Sequence, residues 1–252
     1  MKIEGMAALV TGAGSGLGAA TARALAEKGA RVTVLDMNGD AAEKVAAEIG
    51  GLAAVGDVSS EDDVTAALDA AEAAHGTVRI AVSCAGIGTA GRAVGRDGPL
   101  PLADFERTIR VNLMGTFNVV RLSAHRMSLA EKLGESRGVI VNTASIAAFE
   151  GQIGQAAYAA SKGGIVSMTL PLAREFARFG VRVNTLAPGV FLTPLLYNLP
   201  EEAQTSIAAT IPFPARLGDP AEFAHAAIFA VENDYLNGEV IRLDGANRLT
   251  PK

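Results

Sequence analysis

The sequence predicts an α/β protein: a doubly wound parallel sheet of about seven strands with helices on both faces, in one domain spanning residues 1–252. Three observations carry this expectation. Short β-branched or apolar runs alternate with longer Ala/Leu-rich amphipathic stretches, the pattern of consecutive βαβ units. The first strand runs into a glycine-rich turn that opens directly into a helix. The 252 residues, 49% hydrophobic and 19% charged, suffice for one large core, and no Pro/Ser/Gly linker or change of composition parts them into two.

In chain order the candidate strands are Met6–Thr11, Arg31–Asp36, Gly51–Gly56, Val78–Ser83, Gly138–Thr143, Val181–Leu186 and Glu239–Leu243. The helical patterns between them are Gly16–Lys28, Ala41–Ile49, Ser60–Ala74, Phe105–Leu133, Ala156–Phe179 and Pro220–Val231. Every strand but the last is followed by a helix long enough for a right-handed crossover to a parallel neighbour. Two connections exceed the usual handful of residues: Gly86–Asp104, with five glycines and two prolines, and Gly189–Asp219, where apolar residues are spaced by prolines. Loops of that length in a compact domain carry function or move. In the second, Phe191, Leu192, Leu195, Leu196, Tyr197, Ile211 and Phe213 are either core or, as the interspersed Pro and Gly suggest, a mobile lid over an apolar substrate.

Charge and composition exclude several classes. With 22 basic and 27 acidic residues the net charge is −5, and no Lys/Arg-rich cluster offers a face to nucleic acid. The single cysteine, Cys84, cannot form an internal disulfide, and no Cys-x-x-Cys pair or His-rich spacing supplies zinc ligands. His75, His125 and His225 are scattered, so no metal site is expected. A reducing, cytoplasmic setting follows, and Met1–Gly5 has neither the apolar core of a signal peptide nor the character of a transit peptide. The longest charge-free run, Val183–Pro200, is broken by prolines and is no membrane span.

The turn Thr11-Gly12-Ala13-Gly14-Ser15-Gly16-Leu17-Gly18 sits where backbone amides at a helix N-terminus can meet a pyrophosphate. Asp36, 18 residues beyond Gly18 at the end of the second strand, is placed to accept hydrogen bonds from the adenosine ribose hydroxyls. Its carboxylate would repel a 2′-phosphate, and neither Ser15 nor Met37-Asn38 supplies a compensating cation, so NAD is expected rather than NADP.

Tyr158 and Lys162 are four apart on a predicted helix and share a face. Ser145 lies just past the strand Gly138–Thr143, at the carboxyl edge where open α/β sheets bind ligands. Alcohol oxidation needs a base to take the hydroxyl proton as hydride leaves. A free tyrosine, with a pKa of about 10, is phenolate only about once in a thousand molecules at pH 7. Lowering that pKa by about three units takes roughly 4 kcal/mol. Lys162 is the expected ammonium, with Tyr158 as base and Ser145 holding the substrate oxygen.

Together these residues resemble the short-chain dehydrogenase/reductase family over essentially the whole chain, which implies a Rossmann-type fold. The family's glycine motif matches Thr11–Gly18, with Gly12, Ser15, Gly16, Leu17 and Gly18 as cofactor contacts. Its adenine-binding acid matches Asp57-Val58, its active-site asparagine Asn112, and its catalytic trio Ser145, Tyr158 and Lys162. Pro188, Gly189, Phe191 and Thr193 match the segment that holds the nicotinamide carboxamide. Where the family has Asn-Asn-Ala-Gly after the fourth strand, this chain has Ser83-Cys84-Ala85-Gly86, with Cys84 and Gly86 still at the cofactor ribose.

The stretches from Asn112, Asn142, Leu217 and Leu236 are similar to the type-2 3-hydroxyacyl-CoA dehydrogenases. That resemblance implies a cytoplasmic NAD-linked homotetramer of fatty acid metabolism that oxidises the 3-hydroxyl of 3-hydroxyacyl-CoA thioesters. It also implies that Lys162 binds the nicotinamide ribose and lowers the Tyr158 pKa, and that Asn112 helps hold a water relaying protons to solvent. Competing readings are a hydroxysteroid or other secondary-alcohol dehydrogenase, a 3-oxoacyl-carrier-protein reductase, and a dinucleotide-sensing scaffold without turnover. Arg92 and Arg96, in the glycine-rich loop, are candidates for CoA phosphates or an ordinary solvated loop.

Overall fold

The computed structural model describes residues 1–96, 98–197 and 200–251, apart from the side chains of Leu195, Tyr197 and Ala203. The chain begins β1 (Ala7–Thr11), α1 (Gly16–Glu27), β2 (Arg31–Asp36), α2 (Gly39–Ile49), β3 (Leu52–Val55), α3 (Glu61–His75), β4 (Val78–Ser83). A small hairpin, β5 (Val94–Gly95) and β6 (Gly98–Pro99), precedes α4 (Leu102–Ile109), a π-helical turn (Arg110–Met114) and α5 (Gly115–Leu129). Then come β7 (Gly138–Thr143), α6 (Ala147–Glu150), α7 (Ala156–Phe176), β8 (Val181–Pro188), α8 (Pro194–Tyr197), α9 (Glu201–Ala208), α10 (Pro220–Glu232) and β9 (Val240–Leu243).

Seven strands form one sheet in the order β3-β2-β1-β4-β7-β8-β9, every adjacent pair parallel. All seven expected strands are present, with ends within two residues of those read from the sequence. The expected fold class is therefore the observed one. Strand alternation sends Ala8 and Val10 of β1 to one face, against Leu25 of α1, Val45 of α2 and Phe223 of α10. It sends Leu9 to the other, against Leu68 of α3, Val120 of α5 and Phe176 of α7. Strands covered on both sides read as near-continuous apolar runs, which is why they are legible in sequence. The chain adds strands outward from β1 through β3, then crosses back to β4 on its other side. That reversal opens a crevice at the carboxyl ends of β1 and β4.

Two stretches depart from expectation. The single helix Phe105–Leu133 is two helices joined through the π-helical turn. It starts at Leu102, after Pro101, and ends at Leu129 because Ala130 is extended and its carbonyl accepts from Arg137 Nε at 2.7 Å. The long connection Gly189–Asp219 contains α8 and α9. Pro200, followed by Glu201 and Glu202 in the first turn of α9, is a helix-start signal that the spacing of prolines obscured. Among the described residues no helix is long and apolar enough to cross a membrane, and no group of three or more His, Cys, Asp or Glu could hold a metal ion.

Candidate active site

The β1–α1 turn is shaped by two close approaches. Gly12 has φ +61°, and a Cβ on it would lie 2.7 Å from both Cα and N of Ala85. A Cβ on Gly18 would lie 2.3 Å from the Gly12 carbonyl oxygen. Both obstacles are backbone, so neither can swing away. The turn is also stitched to the segment after β4: Cys84 N donates to Thr11 O and Ala85 N to Thr11 Oγ1, each at 3.2 Å. Gly18→Ala is expected to cost about 1–3 kcal/mol by overpacking, lowering the thermal midpoint by several degrees. An unchanged midpoint would show that the turn can relax.

The helix that follows starts without a cap. Ser15 makes no side-chain capping bond and no acidic residue occupies the first turn of α1. By contrast α2, α3 and α10 are capped by Asn38, Ser60 and Asp219 and all carry acids in the first turn. A helix end left positive at the sheet's carboxyl edge suits an anion. Beyond it, Asp36 accepts from Gly14 N and Asn38 N, both at 2.9 Å, and faces the same cleft.

That cleft has a volume of about 800 Å³. It is lined by sixteen of the eighteen site residues expected from sequence: Gly12, Ser15, Gly16, Leu17, Gly18, Asp36, Val58, Cys84, Gly86, Ser145, Tyr158, Lys162, Pro188, Gly189, Phe191 and Thr193. Asp57 and Asn112 stand outside its lining. Asp57 Oδ1 is taken by Ser59 N at 2.8 Å and Ser59 Oγ at 2.9 Å, so the residue builds the turn presenting Gly56 and Val58. Asn112, fully buried in the π-helical turn, clasps the Ile87 backbone, accepting from N at 2.8 Å and donating to O at 3.0 Å. It also donates to Ser161 Oγ at 3.1 Å. Its side chain thus fixes the backbone of the residue that follows Gly86.

At the reacting end, Ser145 and Tyr158 line the cleft together, and Ala147 N donates to Ser145 Oγ at 3.1 Å. Lys162 Nζ lies 5.8 Å from the Tyr158 ring centroid and donates to Thr143 O at 2.9 Å. Burial pushes the Tyr158 pKa up, against the opposing influence of Ser145. It pushes Lys162 down to about 8, which leaves it mostly protonated at pH 7. In the free protein burial is the largest influence on both groups. The ammonium is turned to a carbonyl and desolvation dominates. Burial also pushes the Cys84 thiol up to about 11, despite a 3.5 Å bond from Thr143 Oγ1, so it is a neutral thiol at pH 7 rather than a nucleophile. Ser83 is in register with Asn142, and among the described residues neither side chain has a hydrogen-bond partner.

Residues 6–204 match the family model of the short chain dehydrogenases. The chain belongs to that family. Over 99% of its length and 98% of the relative's it is 53% identical to a 3-hydroxyacyl-CoA dehydrogenase type-2 of Bos taurus. A crystal structure of 3-hydroxyacyl-CoA dehydrogenase type-2 from Mycobacterium avium superposes with a TM-score of 0.95 at 47% identity, covering 98% of both chains. A 3-ketoacyl-(acyl-carrier-protein) reductase from Brucella melitensis, complexed with NADH, gives 0.87 at 34%, covering 98% of this chain and all of the other.

As a short-chain dehydrogenase, the protein is an oxidoreductase. In this dehydrogenase the late segment is split in role. Phe191 stacks edge-on against Phe223, with ring centroids 6.2 Å apart, so it is core that also edges the cleft. Leu196 lines the cleft, Phe213 is exposed, and the side chains of Leu195 and Tyr197 lie outside the described residues. Sequence reasoning missed Gln152, Gln155 and Leu249 as cleft residues. The glutamines precede Tyr158 on the same segment, a proximity that could have flagged them, whereas Leu249 carries no local signal.

Proposed function

We propose that this dehydrogenase oxidises the 3-hydroxyl of 3-hydroxyacyl-CoA thioesters, with NAD as acceptor. The observation that carries the chemistry is that one cleft is lined by Ser145, Tyr158 and Lys162, with Lys162 Nζ 5.8 Å from the Tyr158 ring centroid, and also by Asp36 and the uncapped start of α1. The acyl-CoA part rests on full-length identity of 50–53% to five curated type-2 enzymes. The carrier-protein reductases, at 34–35%, do not favour the alternative.

The residues present suit NAD. The open amides of α1 would take the pyrophosphate, Asp36 the adenosine ribose hydroxyls, and the remaining two N–H groups of Lys162 the nicotinamide ribose. Bound NAD supplies the hydride acceptor and a positive charge. Ser145 would hold the substrate oxygen against Tyr158, which takes its proton. Because burial alone raises the tyrosine, the phenolate depends on positive charge gathered around it, from Lys162 and the ring of the acceptor. Oxidation accordingly rises with pH as Tyr158 deprotonates, and the reverse reduction falls.

Among the described residues lining the cleft only Asp36 and Lys162 are charged, so the adenosine end has no cation for a 2′-phosphate. Initial rates on a panel of 3-hydroxyacyl-CoAs, hydroxysteroids and simple alcohols, each with NAD and NADP, test both statements. The expected result is highest kcat/KM for the acyl-CoAs with NAD. Preference for NADP, or a steroid as best substrate, would overturn the corresponding half. A homotetramer is carried by the family resemblance; exposed Met114, Phe117 and Leu170 are apolar surface available to subunit contacts. The free, neutral Cys84 thiol accords with a reducing cytoplasmic setting.

A further inference from the structure

The C-terminal tail reaches the reacting end of the cleft. Two backbone carbonyls anchor it beside the catalytic segment: Gln152 Nε2 donates to Thr250 O at 3.1 Å, and Ile153 N to Pro251 O at 3.0 Å. The start of the tail is held by two guanidinium groups, Arg242 in β9 and Arg248, whose Nη1 donates to Asp244 Oδ2 at 3.1 Å and to the Asn247 carbonyl at 2.7 Å. Arg242 forks onto the Glu150 carboxylate at 2.7 and 2.9 Å, bonds Asp244 Oδ2 at 2.8 Å, reaches the Asn247 carbonyl at 3.3 Å and lies 5.0 Å over the Phe149 ring. Glu150 follows Ser145 by five residues. Asp244 packs on Gly189, where an added Cβ would sit 2.8 Å from the Asp244 Cβ. Arg242, with Arg248 beside it, thus keys the tail both to the segment carrying Ser145 and to the segment at Pro188-Gly189.

The consequence falls on Leu249. It is half-buried, and among the described residues it is the one tail side chain lining the cleft, next in the chain to Thr250, whose carbonyl is held by Gln152. Polar bonds hold the backbone on either side, so an apolar side chain is presented to the cavity by a fixed frame.

We infer that Leu249 determines specificity for the acyl part of the substrate, forming a wall against which the chain or its branch packs. This rests on the acyl-CoA reading above. Substrate choice is then shared between the two long connections and the last residues of the chain. A pocket discriminates methylene groups by roughly tenfold or more each, so removing or adding bulk at one wall should re-rank chain lengths.

The test compares wild type, Leu249→Ala and Leu249→Trp on straight-chain and 2-methyl-branched 3-hydroxyacyl-CoAs of increasing length. In Leu249→Ala the ratio of kcat/KM for bulky over short substrates is expected to rise about tenfold; in Leu249→Trp it falls by at least as much. KM for NAD stays within about twofold in both. The protein has no tryptophan, so emission from Leu249→Trp reports that position alone. It is expected to shift to the blue on adding 3-oxoacyl-CoA, more so for longer chains. Unaltered substrate ratios in both variants, with emission indifferent to acyl-CoA, would overturn the inference. A wild type that oxidises no 3-hydroxyacyl-CoA would overturn the acyl-CoA reading instead, and the same variants would then be ranked on the secondary alcohols it does oxidise.

Discussion

Replacing Tyr158 by phenylalanine is expected to lower kcat for alcohol oxidation by about a thousandfold, within the range for loss of a positioned general base, while NAD affinity stays within about threefold. The substitution removes one oxygen from a ring that otherwise keeps its place, so packing around Ser145 and Lys162 changes little. The site would then be intact in shape and without a proton acceptor. Steady-state NADH formation and direct NAD titration on one preparation distinguish the outcomes. Turnover near the wild-type rate would remove Tyr158 from the reaction, and loss of both activity and binding would mean that the ring is structural.

Lys162→Met separates charge from bulk at the second position. It should reduce kcat about a hundredfold, raise KM for NAD and move the rise of oxidation with pH to higher pH, since the tyrosine loses its nearest cation. Stability responds in the opposite sense. The folded protein holds Lys162 at about 8, against 10.5 in the unfolded chain, so across that window the unfolded state binds more protons and wild-type stability rises with pH. Below about pH 8 both states are charged and the folded one bears the full cost of burying the ammonium. Methionine bears none, although Thr143 O loses its donor at a cost of about 1 kcal/mol. Denaturant unfolding at pH 7 and pH 9 should therefore find the variant within about 1 kcal/mol of wild type or above it at pH 7, and without the lysine's share of the rise. Tyr158, with its pKa raised, adds the reverse trend only above its ordinary value near 10 in both proteins. A kcat loss with no change in KM or in the pH profile would contradict the assigned role.

The sheet was legible because its strands are covered on both faces and must be apolar throughout, as Leu9, Val10, Ile80 and Val82 illustrate. Local chemistry likewise exposed the turn from Gly12 to Gly18 and the Tyr158–Lys162 pair, whose spacing on a helix is itself the signal. What escaped reading depends on contacts between distant segments. The π-helical turn at Arg110–Met114 has no periodic signature, yet it delivers Asn112 to the backbone of Ile87. Leu249 joins the cleft only because residues nearly a hundred positions upstream hold the tail there. The direction of the Tyr158 shift is likewise not local, since it is set chiefly by how much protein surrounds the ring.

The uncapped start of α1 bears on how long the molecule survives. A helix terminus with neither side-chain cap nor acidic first turn forgoes stabilisation that neighbouring helices enjoy, and a bound dinucleotide would restore it. Ligand at a hundred times its Kd adds about 2.7 kcal/mol to the folded state, a shift of several degrees in Tm for a chain of this length. Resistance to heat and proteases would then track the supply of cofactor, and the population of intact enzyme would carry a record of the dinucleotide pool it works in.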